Sequence, residues 1–94
     1  MRMYNPAHPG MLVREFMVGH SVTKIAKHLR VARGTLSRLM QGKTRVKAEM
    51  ALRLSEAFGL DAAVWMELQA GRDLWVASRT RRKKVKRLMV DQPA

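Results

Sequence analysis

The sequence contains no cysteine. That excludes a disulfide scaffold, a thiol nucleophile and any cysteine-based zinc site. Aromatic residues make up only 5% of the chain, and none lies in its most basic stretch. A stacking platform for single-stranded nucleic acid is therefore missing, which disfavours an RNA-binding module. No apolar run approaches the roughly 18 residues of a membrane span. The N-terminus, Met-Arg-Met-Tyr-Asn-Pro, lacks the apolar stretch of a signal peptide, so the expectation is a cytoplasmic protein with no membrane partner. There is no phosphate-cradling glycine loop. His8, His20 and His28 have no i,i+3 or i,i+4 partner among themselves, so no metal site and no cofactor is expected. Only seven acidic residues are present. They cluster in residues 49–73 apart from Glu15 and Asp91, without an accompanying histidine, so no enzyme activity is expected.

What is present is positive charge, and it is segregated. Nineteen Lys and Arg give the 94 residues a net charge of +12. Residues 1–21 carry +1, residues 22–47 carry +8 with no acid, residues 48–78 carry −3, and residues 79–94 carry +6. A face of one sign suits a polyanion, because the summed field steers and holds it. The length fits one small domain. Such a domain buries only about 60–65% of its unfolded surface, so a partner subunit would add stability.

The pattern is helical throughout, with no period-two alternation. Five helices are expected, at about 10–18, 22–29, 33–41, 48–58 and 62–78. Pro6 and Pro9-Gly10 mark an arm and the first helix start. Ser21 and Asp61 are N-caps. Gly19, Gly42 and Gly59 are stops. The run from Arg79 either extends the last helix or forms a tail. The expected organisation is an N-terminal arm (1–9), a DNA-binding domain (10–78) and a basic C-terminal extension (79–94).

The second and third helices, joined by about three residues, have the helix-turn-helix arrangement. Ala26 leaves room for the crossing helix; Ile25, Leu29, Val31, Leu36 and Leu39 form a shared core. The third helix then turns Arg33, Gly34, Thr35, Ser37, Arg38 and Gln41 outward, as a major-groove helix does. Arg33 and Arg38 are the candidates for bidentate bonds to guanine. Thr35, Ser37 and Gln41 suit base or phosphate, Lys43 and Arg45 suit phosphate, and Thr23 completes the DNA-contacting set. Trp65 and Trp75 lie about 80° out of line on a straight helix. Either both belong to the core or Trp75 anchors a dimer partner. The basic run is a solvated segment, a phosphate contact or a protein-binding element.

From Pro6 to Thr80 the chain resembles the HigA-type antitoxins, a branch of the lambda-repressor-like (XRE) helix-turn-helix family. The resemblance rests on His8-Pro9-Gly10, Ala26 to Leu29 with Val31 and Arg33, and Gly42-Lys43. It continues through Glu49 to Leu54, Ala57-Phe58-Gly59, Trp65, Leu68-Gln69-Ala70 and Asp73-Leu74-Trp75. It implies an all-α, five-helix domain that forms a homodimer. The dimer would bind a palindromic operator in double-stranded DNA, repress its own operon, and neutralise a small RelE-like mRNA-cleaving toxin. A free-standing repressor without a toxin is the alternative. The sequence departs from the family pattern at Arg30, where glycine is frequent, so either Arg30 turns left-handed or the turn differs. It departs also at Ala32 and Lys47, where a capping serine is common, and at Val64 and Gly71-Arg72.

Overall fold

The computed structural model describes residues 6–89. Residues 1–5 of the expected arm and 90–94 of the expected extension lie outside them. The described chain forms five α-helices: α1 (Pro9–Phe16), α2 (Val22–Leu29), α3 (Arg33–Met40), α4 (Ala48–Phe58) and α5 (Ala62–Arg79).

The local chemistry explains the boundaries. Ser21 Oγ accepts from the Lys24 amide and starts α2. Asp61 Oδ1 accepts from the Ala63 amide and starts α5. The α3 terminus closes with two reverse bonds, Gly42 N–H to Leu39 O and Lys43 N–H to Arg38 O, with Gly42 at φ 74°. This is the Schellman arrangement, and it makes α3 end at Met40 rather than 41. The same pattern ends α2, with Arg30 N–H to Lys27 O and Val31 N–H to Ala26 O. There the left-handed residue is Arg30, at φ 61° and ψ 42°. Helix α1 ends two residues short of the expected 18. The His20 amide bonds back to Met17 O at 2.8 Å, and Gly19 turns left-handed at φ 83°.

Helix α5 ends at Arg79 with neither Gly nor Pro to stop it. Continuing it would stack Arg79 on Lys83, Arg82 on Lys86 and Lys83 on Arg87 at i,i+4, like-charge pairs that disfavour helix. Thr80 turns extended instead (ψ 135°), and its Oγ1 donates to Val76 O. Residues 81–89 have no regular structure and are exposed.

The core gathers Val13 of α1 and its C-cap Met17, Ala26 and Leu29 of α2, Leu36 and Leu39 of α3, Ala51 and Leu54 of α4, and Trp65 of α5. Phe16 stacks on Phe58 at its edge, ring centroids 4.9 Å apart. The two tryptophans separate, a choice that their spacing left open. Trp65 is fully buried, whereas Trp75 is half-buried with the guanidinium groups of Arg72 and Arg79 over its ring.

Candidate nucleic-acid interface

Helices α2 and α3 pack on each other through Ala26, Leu29, Leu36 and Leu39, all buried. That orientation leaves Arg33, Gly34 and Arg38 of α3 and its C-cap Gln41 exposed, with Thr35 and Ser37 half-buried beside them. Gln41 Nε2 donates to Ser37 Oγ at 3.2 Å, one turn earlier. Arg38 lies back along the helix toward its N-terminus: a Cβ on Gly34 would sit 3.1 Å from the Arg38 Nη1. Gly34 thus leaves room for the guanidinium at the end of α3 where a major-groove helix meets base edges. Thr23 is exposed in the first turn of α2.

Two other elements hold the α2–α3 pair, α1 against α3 and α4 against α2. The α1 N-terminus abuts its C-terminal end so closely that a Cβ on Gly10 would lie 1.9 Å from Leu39 O. His8 caps α1, its Nδ1 accepting from the Gly10 amide at 2.9 Å. Burial, and then the Arg72 charge, push the His8 imidazole below its ordinary 6.5, against a Thr44 backbone hydrogen bond and Asp73. From the other side, Arg53 of α4 donates through Nη1 to Leu29 O at 2.8 Å and through Nη2 to Glu49 at 2.7 Å. A cation on the last carbonyls of α2 suits the negative end of that helix.

The loop after α3 carries Lys43, Thr44, Arg45 and Lys47, all exposed, around a single buried residue, Val46. Val46 is pinned by Gln69 of α5. The buried Gln69 Oε1 accepts from the Val46 amide at 2.6 Å, and its Nε2 donates to Asp73 Oδ1 at 2.8 Å. Asp73 in turn pairs with Arg45, which holds its carboxyl below the usual range. Arg45 therefore stands in an ion pair, its side chain 53% exposed, while Lys43 projects from the loop. The structure thus collects Arg33, Thr35, Ser37 and Arg38 on one helix and Gln41 at its C-cap, with Lys43 and Arg45 just beyond it and Thr23 on the neighbouring helix.

Sequence reasoning singled out neither Gln69, Asp73 nor Arg53 as the side chains that fix this surface. The available signal was Gln69 itself, a polar residue four positions after Trp65 and in phase with it.

A helix-turn-helix with an acid-free, solvent-facing second helix defines a DNA-binding class of domain. Residues 10–68 match the helix-turn-helix domain family, and the chain belongs to it; the family is non-enzymatic. The chain is 43% identical over 76 residues to virulence-associated protein A' of Dichelobacter nodosus, covering 78% of this chain and 66% of that one. It is 33% identical over 82 residues to YddM, an HTH-type transcriptional regulator of Escherichia coli K12, covering 85% and 87% of the two chains. In three dimensions it resembles the antitoxin HigA of Pseudomonas aeruginosa, solved with the higBA promoter. The TM-score is 0.73 at 33% identity, over 77% of this chain and 82% of that one. No helix among the described residues is long and apolar enough to cross a membrane.

Proposed function

We propose that this protein is a sequence-specific DNA-binding antitoxin that represses its own operon as a homodimer and neutralises a small RelE-like toxin. The observation that carries the DNA half is the outward face of α3, set in residues 22–47, which hold eight bases and no acid. Arg33 and Arg38 bond guanine edges; Thr35, Ser37 and Gln41 touch bases or phosphate; Thr23, Lys43 and Arg45 hold the backbone. Base contacts specify and phosphate contacts position. Two copies of α3 then read half-sites about 34 Å apart, one helical turn, which is why the operator is palindromic. The likeness to a promoter-bound HigA supports the antitoxin half.

The DNA half is tested with duplexes selected from a random pool. A palindromic consensus is the expected outcome. Arg38→Ala then costs about 1–3 kcal/mol and relaxes one base position, whereas Lys43→Ala weakens all sequences alike. Uniform loss with Arg38→Ala would reduce that residue to a phosphate contact. The toxin half is tested by pull-down from the native host in about 0.5 M salt, which screens bridging by nucleic acid. A stoichiometric small protein that arrests growth when expressed alone is expected. A dimer that elutes alone would favour the second reading, a free-standing repressor, which the kinship to an HTH-type transcriptional regulator supports.

A further inference from the structure

Beyond the helix-turn-helix, the most charged part of the molecule is the run from Arg79 to Arg87, with seven bases and no acid. Neither its apolar member nor the leucine that follows serves the core: Val85 is 83% exposed and Leu88 89%. Arg79 is committed to the Trp75 ring. Arg81, Arg82, Lys83, Lys84 and Lys86 are exposed, and neither the Arg45–Asp73 nor the Arg53–Glu49 pair involves them.

The run's position is specific. One groove is lined by Lys43, Arg45 and Lys47 of the loop after α3 and by Arg72, Val76 and Ala77 of α5. A second is lined by Leu74, Ala77 and Ser78 of α5 and by Arg81, Arg82 and Lys84 of the run. Ala77 belongs to both. The surface therefore passes from the loop that follows α3, across the end of α5, into the basic run. The one carboxylate on that path, Asp73, is neutralised by Arg45.

We propose that residues 81–87 are a second, sequence-independent DNA contact, gripping the phosphates that flank the half-site under α3. The inference rests on the duplex-DNA reading above. Lysine and arginine without a bidentate scaffold bind the phosphate backbone as a row of charges, releasing its counterions. Nine residues from Thr80 to Leu88 reach at most about 30 Å when extended. That is about nine base pairs at 3.4 Å each. The run thus lengthens the footprint without adding sequence information.

The test uses the full chain and a variant with Arg81, Arg82, Lys83, Lys84, Lys86 and Arg87 all changed to Gln. A variant with the same run in reversed order and an Arg33→Ala, Arg38→Ala double variant complete the set. Circular dichroism confirms that each folds. Affinity for a mixed-sequence duplex of about 30 base pairs is followed from 50 to 200 mM salt. Each lost phosphate contact makes the affinity drop over that range about 3.5-fold smaller. The glutamine variant should lose at least two contacts' worth of slope, and the reversed run should retain the full slope. An unchanged slope in the glutamine variant overturns the inference. So does a selective loss of binding to a single-stranded RNA or to anionic vesicles, which would assign the run to those partners. If the wild-type chain binds no duplex, the DNA reading falls with it. If the Arg33, Arg38 variant weakens while the glutamine variant keeps its slope, only this inference falls.

Discussion

The buried side-chain carbonyl of Gln69 accepts the Val46 amide, joining α5 to the loop that follows the DNA-facing helix. Val46 is completely buried, so no water can replace that acceptor. Gln69→Leu keeps the volume but orphans the amide, which costs about 1–3 kcal/mol. It also removes one of the two groups holding Asp73, and with it the frame of Arg45. Urea denaturation should show the loss, and affinity for duplex DNA should fall with it. A variant of wild-type stability would show that the loop does not depend on this bond.

Two local rules are broken at the turn between α2 and α3, and both can be mended. Arg30 is left-handed at φ 61°, a conformation that disfavours a side-chain-bearing residue by about 1–2 kcal/mol. Glycine removes that strain but adds about 0.5–1 kcal/mol of unfolded-state freedom. Arg30→Gly should therefore stabilise by up to about 1.5 kcal/mol. Ala32 has the extended geometry of an N-cap, φ −65° and ψ 144°, but no side chain to cap with. Ala32→Ser should add about 1 kcal/mol. Each such gain raises Tm by about 4–8 °C in a domain of this size. Loss of stability in either variant would mean that the native side chain has a contact worth more than the rule it breaks.

Two glycines in helices should respond to alanine with opposite sign. At Gly71 a Cβ meets nothing within 4 Å, so Gly71→Ala should stabilise α5 by about 1 kcal/mol. At Gly10 the same methyl would collide with the Leu39 carbonyl. Helices α1 and α3 must part, at a cost of about 3 kcal/mol. Thermal melts of the two variants decide it; equal shifts would contradict the close approach of α1 to α3.

His8 makes stability depend on pH in a definite direction. Its imidazole titrates near 6.5 when unfolded and lower when folded, chiefly through burial and then through Arg72. The unfolded chain therefore takes up the proton first. The contribution is complete above 6.5 and is lost as pH falls from there through the folded value. The cap gives the same sign, since Nδ1 must be unprotonated to accept from Gly10. Asp73, also lowered but from 3.8, acts only in a more acidic window. His8→Asn keeps a capping acceptor and removes the titration. Its Tm should fall less than that of the wild type between pH 7 and 5, and parallel curves would exclude His8 as the cause.

The five helices, the α2–α3 pairing and the outward set on α3 were legible because each rests on local chemistry. Apolar periodicity, a Ser or Asp cap and a glycine stop act within one or two turns; whether Arg30 turns left-handed or the turn differs was left for the structure to decide. Charge segregation is equally a property of sequence order, so the basic face belongs to it as well. Only the tertiary structure decided that Gln69 is buried against Val46, that Asp73 takes Arg45, and that Gly10 fits under Leu39. It alone parted the roles of Trp65 and Trp75, and brought the loop after α3 and the basic run to two grooves that meet at Ala77. The first three of these relations join residues about twenty to thirty positions apart, where no period links them. They exist because packing the apolar stripes of five helices sets which polar groups lose water together, and each such group must then find its partner across the fold.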